Sequence, residues 1–182
     1  MNWMFRDLRS DEIECRVAMA KDTGVSLLLY KDARCDQNIL DETVGPMNWQ
    51  RHHSRDNANC TVSLWDEKKE QWVSKEDTGK ESNTEAEKGL ASDSFKRACF
   101  NWGVGRELYT APFIWIAAED CVALKSRGSG WACYDAFAVE KIIIENKKIV
   151  VISIVNKKTG KRCFVHKDPV WLSKQNKGAD NG

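Results

Sequence analysis

The stretch that decides the fold runs from Thr84 to Tyr109 and reads T-E-A-E-K-G-L-A-S-D-S-F-K-R-A-C-F-N-W-G-V-G-R-E-L-Y. Thr84 and Glu87 fit a capping box, which predicts that a helix begins here. Apolar residues then recur at the spacing of one helix face, at Ala91, Phe95, Ala98 and Trp102. Gly103 and Gly105 predict where the helix ends. We therefore expect a central helix that buries one side.

The other faces of this helix carry a cationic pair, Lys96 and Arg97, near the aromatic Phe100. Cations beside an aromatic on the exposed side of a buried helix are what a polyanion-binding groove requires. The alternative is an ordinary solvated face, in which Asp93 and Arg97 form an i,i+4 ion pair. Helix chemistry alone favours the solvated face, because most charged helix faces bind nothing.

The same helix carries a motif that goes beyond amphipathicity. An acidic, alanine-rich start leads into D-x-x-K-R-A and then an aromatic-glycine pair, here Asp93, Lys96, Arg97, Ala98, Trp102 and Gly103. This pattern resembles the signature helix of the single-strand annealing proteins of the Rad-fifty-two, DdrA and Sak superfamily. The similarity extends from about Leu8 to about Val165, and the short chain is more similar to phage and bacterial members than to eukaryotic ones.

The resemblance implies a fold, a function and an assembly. The fold is α+β, with an antiparallel β-meander packed on the central helix as a β-β-β-α annealing-protein core and an added C-terminal β-hairpin. The function is ATP-independent single-stranded DNA binding and annealing of complementary strands in homologous recombination and repair. Subunits form ring-like or helical homo-oligomers, head to tail, and a host single-strand binding protein is a further candidate partner.

The resemblance also assigns DNA-binding residues. Lys96 and Arg97 would neutralise phosphates, and Arg34 matches a DNA-contacting arginine just before a helix. Weaker candidates are Arg51 and Arg55, which alternate along a predicted strand, and Arg106, which follows a glycine turn. Each has an ordinary alternative: an exposed charge at a turn for Arg34, surface solubility for Arg51 and Arg55, and helix termination for Arg106. Phe100 departs from eukaryotic relatives, where a basic residue is expected.

Composition limits how such a protein binds DNA. The chain has 182 residues, 42% of them apolar and 30% charged, and its net charge is +1. These values suit one globular domain over residues 1–170 with a polar, disordered tail over 171–182. A net charge of +1 does not indicate a nucleic-acid-binding protein, so a DNA-binding site would require basic residues to be concentrated on one part of the surface. Repeating a weak site around an oligomer would raise the affinity by avidity.

Seven cysteines are scattered along the chain without a C-x-x-C pair. This pattern indicates reduced thiols in a cytoplasmic protein. The resemblance to phage and bacterial annealing proteins implies that the cell is bacterial or phage-infected. The His52-His53 pair with Cys60 matches no familiar zinc spacing, so neither a metal nor another cofactor is expected. There is no secretory signal and no apolar run of about 20 residues, so no membrane partner is expected.

Local patterns predict the remaining elements. A helix is expected from Ser10 to Gly24, because Ile13, Val17 and Ala20 follow helical spacing. The other expected elements are a strand over 25–30, a helix over 39–44, three meander strands within 49–78, a strand over 112–116, an irregular insert over 117–134 and a hairpin of 136–144 with 149–155. In the first meander strand Arg51, His53 and Arg55 would share one face, and in the second the apolar Cys60, Val62 and Leu64 alternate with Asn59, Thr61 and Ser63.

Enzymatic motifs are missing from the chain. It has neither a P-loop nor a G-x-S-x-G nucleophile elbow, so we do not expect an enzyme. A metal-dependent nuclease or other DNA-processing enzyme is the alternative, and it would require acidic residues that converge on a metal. A third possibility is an assembly protein whose rings bind another protein.

Overall fold

The computed structural model describes residues 3–80 and 86–179, and side chains within 3–80 and 89–175. In these ranges the chain is an α+β protein with mostly antiparallel strands. Its three α-helices are α1 (Ala33–Val44), α2 (Ala86–Trp102) and α3 (Pro169–Ala179). Its strands are β1 (Glu14–Lys21), β2 (Gly24–Tyr30), β3 (Trp49–Ser54), β4 (Asn59–Asp66), β5 (Gln71–Thr78), β6 (Ile114–Ala117), β7 (Leu124–Arg127), β8 (Gly130–Cys133), β9 (Phe137–Glu145), β10 (Lys148–Asn156) and β11 (Arg162–Lys167).

The chain divides into two compact units, where the sequence predicts one domain. The meander unit comprises Met1–Asp7 and Asp32–Arg106, and the barrel-like unit comprises Leu8–Lys31 and Glu107–Gly182. None of the helices in the described ranges is long and apolar enough to cross a membrane.

In the meander unit, β3, β4 and β5 form an antiparallel three-stranded sheet with β4 in the centre. The predicted alternation along β4 is confirmed, because Cys60, Val62 and Leu64 are fully buried. The intervening Ser63 is buried as well, and its hydroxyl lies 2.8 Å from that of Ser74 on β5. The central strand is therefore covered on both faces.

Helix α2 packs on β4 and β5, as the apolar spacing predicts. Phe95 and Ala98 are fully buried, and the indole Nε1 of Trp102 donates to the carbonyl of Val62 at 3.0 Å. Cys99 is also fully buried, so the covered face is wider than the predicted stripe. Thr84 and the side chain of Glu87, on which the predicted capping box depends, lie outside the described residues.

The barrel-like unit is built on a nearly closed six-stranded sheet in the order β11-β10-β9-β1-β2-β6. The two outer strands, β11 and β6, lie against each other, and side chains such as Val25, Ile116 and Ile152 fill the interior. The predicted hairpin is present as β9 and β10. Its two-residue turn, Asn146 and Lys147, has φ values of 51° and 61°, which is typical of tight β-hairpins.

The predicted helix from Ser10 to Gly24 is wrong. After a single 3₁₀ turn at Ser10–Glu12, the chain forms strand β1, which pairs with β2 along its length. The register of β1 shifts between Val17 and Met19. Because of this bulge, the more buried side chains lie at positions 13, 15, 17 and 20. Positions 13, 17 and 20 therefore have the spacing expected for one face of a helix, although the segment is a strand.

Two further expectations change in the barrel-like unit. The segment 117–134, expected to be irregular, contains the short hairpin of β7 and β8, paired from Leu124 with Cys133 to Arg127 with Gly130. Helix α3 extends to Ala179, so the described part of the expected disordered tail is helical.

Candidate nucleic-acid interface

All six predicted DNA-binding residues lie in the meander unit. Lys96 and Arg97 lie in α2, Arg34 lies at the start of α1, and Arg51 lies in β3. Arg55 lies in the turn that follows β3, and Arg106 in the turn that follows α2. The fold therefore restricts the candidate cations to one unit, although they come from separate elements.

Arg34 pairs with the carboxylate of Asp32, and Lys96 acts on the same carboxylate through its charge. Arg34 binds Asp32 through its guanidinium, with Nη2 to Oδ2 at 2.7 Å and Nε 3.2 Å from both carboxylate oxygens. Asp32 also caps α1, because its Oδ1 accepts the backbone N–H of Arg34 at 2.7 Å. These side-chain and backbone hydrogen bonds, followed by the charges of Arg34 and Lys96, lower the pKa of Asp32 to about 2. Lys96 of α2 therefore lies within electrostatic reach of the first turn of α1.

Arg97 forms the predicted i,i+4 ion pair with Asp93, with Nε 2.8 Å from Oδ2. The same oxygen accepts the backbone N–H of Lys80 at 2.8 Å. Asp93 therefore also holds the segment that follows β5 against α2. Gly79 permits this close approach, because a Cβ there would lie 2.7 Å from the backbone nitrogen of Ser94.

We call Arg34, Lys96 and Arg97 the α1–α2 cationic cluster. Its three cations face the two carboxylates of Asp32 and Asp93. The side chain of Arg34 is 83% exposed and that of Arg97 is 37% exposed. Exposed ion pairs of this kind contribute only about 0.2–1 kcal/mol each, so a phosphate can replace a carboxylate as the partner. The cluster can thus bind a polyanion by exchanging its ion-pair partners.

The predicted cationic face of β3 is turned towards α2. The guanidinium of Arg51 lies 4.8 Å from the centre of the Phe95 ring, and Nδ1 of His53 lies 3.4 Å from the hydroxyl of Ser94. Burial lowers the pKa of His53 below its ordinary value, and the neighbouring charges of Arg51 and His52 lower it further. The neutral form of His53 is therefore favoured, which limits its contribution to the charge of this face.

Arg55 does not share that face. It lies beyond the end of β3, in a turn where Arg55, Asp56 and Asn57 all have positive φ values. Its side chain is exposed, and its carbonyl accepts the N–H of Ala58 at 3.0 Å. The expectation that Arg51, His53 and Arg55 alternate on one strand fails because the strand ends at Ser54.

Arg106 binds the C-terminal end of α2. Its Nη2 donates to the carbonyls of Phe100 at 3.0 Å and Asn101 at 3.2 Å, and its guanidinium lies 5.5 Å from the Phe100 ring. A cation at this position satisfies carbonyls that have no partner within the helix and complements the helix dipole. The ordinary alternative for Arg106, helix termination, thus accounts for its contacts.

Sequence reasoning missed Lys75. From β5, its Nζ donates to the carbonyl of Asn101 at 2.8 Å and lies 4.4 Å from the centre of the Trp102 ring. The period-two spacing of Val73, Lys75 and Asp77 could have indicated a shared strand face. Only the packing shows that Lys75 contacts the end of α2.

None of the protein families, curated proteins or solved structures compared with the chain matches it.

Proposed function

We propose that this protein binds single-stranded DNA and anneals complementary strands without ATP. The observation that carries the proposal is the ion pair of Arg34 with Asp32, a carboxylate on which the charge of Lys96 also acts, with Arg97 next to Lys96 in α2. The three residues suggested by the resemblance to annealing proteins thus contribute to one cationic cluster. The order of elements in the meander unit, three strands followed by a helix, also agrees with the core expected from that resemblance.

The chemistry of the cluster suits a strand-annealing role. Phosphate contacts made by Lys and Arg depend steeply on salt and carry no sequence information. A strand held only by its phosphates keeps its base edges available to a complementary strand. Annealing then needs no covalent step, because pairing of the two strands supplies the driving force.

A single copy of the cluster offers only a few phosphate contacts. Because Asp32 and Asp93 partly neutralise it, one subunit would bind DNA weakly near physiological salt. A head-to-tail homo-oligomer, a ring or an open helix, would repeat the cluster along one strand and raise the affinity by avidity. Oligomerisation is therefore part of the proposal.

No observation favours the nuclease alternative. Within the described residues, the one group of metal-ligand side chains at binding distance is Cys121, Cys133 and Asp135, which contains a single carboxylate. Metal-dependent nucleases bind their metals mainly through carboxylates, because Mg²⁺ prefers oxygen ligands.

The test is a salt titration of binding to a fluorescent oligo-dT, combined with annealing of complementary labelled oligonucleotides. The variant is Lys96→Ala/Arg97→Ala, and the matched control is Lys68→Ala/Lys69→Ala, which removes two lysines from the turn between β4 and β5 of the same unit. We expect the variant alone to lose annealing. The slope of log K against log salt should decrease by about 1.4, or about 0.7 for each lost phosphate contact.

Two results would contradict the proposal at different levels. If the slope of log K against log salt is the same for the variant and the control, α2 does not belong to the DNA-binding site. A wild-type protein that binds no oligonucleotide at low salt would refute DNA binding itself. Size-exclusion chromatography of the same samples shows whether the variant still assembles as the wild type does.

A further inference from the structure

A cluster of metal-ligand side chains lies in the barrel-like unit, apart from the α1–α2 cationic cluster. The sulfur atoms of Cys121 and Cys133 and a carboxylate oxygen of Asp135 all lie within 4.8 Å of one another. The β7–β8 hairpin creates this proximity, because it pairs Cys133 with Leu124, close in sequence to Cys121. We call the three residues the Cys121 cluster.

The carboxylate of Asp135 is fully buried and only half satisfied. Its Oδ2 accepts the backbone N–H groups of Val122 at 2.9 Å and Ala123 at 3.0 Å, and the thiol of Cys133 at 3.4 Å. Its Oδ1 is buried without a hydrogen-bond partner at ordinary distance; Nζ of Lys158 lies 3.7 Å from it, and the side chain of Asn156 also interacts with the carboxylate. A buried carboxylate oxygen without a close hydrogen bond is costly, so a bound metal ion would stabilise this atom.

The two thiols lie beside this carboxylate. The sulfur of Cys133 is 3.4 Å from Asp135 Oδ2, and the sulfur of Cys121 lies within 4.8 Å of both groups. A divalent cation bound here would hold both cysteines as thiolates, because a coordinated thiol is deprotonated.

We propose that the Cys121 cluster binds a thiophilic divalent cation, with Zn²⁺ as the best chemical match. Cys121 Sγ, Cys133 Sγ and an Asp135 oxygen would be three ligands, and zinc prefers sulfur, nitrogen and oxygen in a tetrahedral arrangement. Tetrahedral coordination with Zn–S distances of about 2.3 Å places two sulfurs about 3.8 Å apart. The ligand atoms of the cluster lie within 4.8 Å of one another, which is compatible with this distance.

The cluster offers three protein ligands. A tetrahedral zinc ion held by three protein ligands has a fourth position that a water molecule can fill.

Sequence reasoning expected no metal, since the chain contains no C-x-x-C pair. The ligands here form a C-x₁₁-C-x-D pattern, which matches no common zinc spacing. The β7–β8 hairpin makes this spacing possible, because it brings Cys133 back beside Leu124, three residues after Cys121.

The test is titration of the full-length, reduced and chelator-treated protein with Co²⁺, followed by displacement with Zn²⁺. We expect one equivalent of Co²⁺ to produce a thiolate charge-transfer band and the visible bands of tetrahedral cobalt. Cys121→Ser and Cys133→Ser should each weaken binding at least tenfold, and Asp135→Asn should weaken it too. Cys60→Ala, which removes a buried thiol in the meander unit, should bind as the wild type does.

Lys158 provides a variant that should act in the opposite direction. Its side chain is 46% exposed, and its ammonium nitrogen lies 3.7 Å from Asp135 Oδ1. Lys158→Met removes a cation that repels the metal and should therefore tighten Co²⁺ binding. Unchanged or weaker binding in this folded variant would count against Asp135 as a ligand.

Alkylation provides a readout that does not depend on the folding of variants. In the reduced wild-type protein, Zn²⁺ should protect Cys121 and Cys133 from iodoacetamide, as mapped by mass spectrometry. The proposal is overturned if Co²⁺ gives no thiolate band, if Zn²⁺ leaves both cysteines equally reactive, or if Cys121→Ser/Cys133→Ser retains wild-type affinity. It is also overturned if Cys121 and Cys133 form a disulfide in the isolated protein and bind no metal once reduced.

Discussion

Lys96, in the middle of α2, lies close enough to Asp32, the N-cap of α1, for its charge to lower the pKa of that carboxyl. Asp32 also holds the guanidinium of Arg34 in two-point contact. The negative charge of Asp32 thus acts on two of the proposed phosphate-binding cations and would compete with phosphate for them.

The first prediction concerns Asp32→Asn. Asparagine is as good an N-cap as aspartate, so α1 should persist, whereas the charge that competes with phosphate is removed. An exposed ion pair contributes up to about 1 kcal/mol, so single-stranded DNA should bind up to about fivefold more tightly. Fluorescence anisotropy at fixed salt measures this. The matched control is Asp11→Asn, which removes the exposed Arg9–Asp11 pair of the barrel-like unit and should leave binding unchanged. Weaker binding by Asp32→Asn would exclude the cluster as the DNA site.

The second prediction concerns acid stability. Folding lowers the pKa of Asp32 from its ordinary value of 3.8 to about 2, so the folded state binds this proton less readily than the unfolded chain. The contribution of Asp32 to stability is therefore complete above pH 3.8 and is lost as the pH falls through about 2. Urea unfolding of wild type and Asp32→Asn should converge as the pH falls across this window. Carbon NMR of the Asp32 carboxyl measures its pKa directly, and a midpoint near 3.8 would contradict the ion pair.

The third prediction separates a structural cation from the DNA-binding ones. Arg106→Ala removes hydrogen bonds to the last carbonyls of α2 and should destabilise the protein by about 0.5–1 kcal/mol. It should leave the salt dependence of DNA binding unchanged, because we assign Arg106 to the helix end. Chemical denaturation and the salt titration measure the two effects separately. A decrease of about 0.7 in the slope would instead make Arg106 a phosphate contact.

The fourth prediction tests the packing of α2 on the meander. Phe95 is fully buried, stacks on Trp49 with ring centres 6.1 Å apart, and lies beneath the guanidinium of Arg51. Phe95→Ala should therefore cost about 3–5 kcal/mol of unfolding free energy. Phe113→Ala is the control, because Phe113 is 76% exposed and its loss should change stability by less than about 0.5 kcal/mol. Similar urea midpoints for the two variants would contradict the burial of Phe95.

Elements whose pattern is local were predictable. The apolar spacing that leads to Phe95 and Ala98 predicts α2, and the alternation of Cys60, Val62 and Leu64 predicts β4, because each element repeats its own period along the chain. Strand β1 was predicted as a helix because the bulge between Val17 and Met19 changes its period. Such a bulge exists only in pairing with a partner strand, so the sequence of β1 alone does not reveal it.

The candidate site was predictable only in part. The D-x-x-K-R-A motif indicated Lys96 and Arg97 as candidates, but it gave no sign that Arg106 binds helix carbonyls or that Lys75 packs on Trp102. These contacts join separate elements, and their geometry depends on how a helix crosses a sheet.

By itself, the sequence determined the α+β class, the central helix, the meander and the residues that are candidates for phosphate binding. Secondary-structure propensity and apolar periodicity depend on a few neighbouring residues, so they can be recognised in the sequence alone. Only the tertiary structure decided that the charge of Lys96 acts on Asp32, the ion-pair partner of Arg34, and that Cys121, Cys133 and Asp135 meet. Electrostatic and metal-ligand interactions act over a few ångströms in space, and the fold alone brings distant positions within that range.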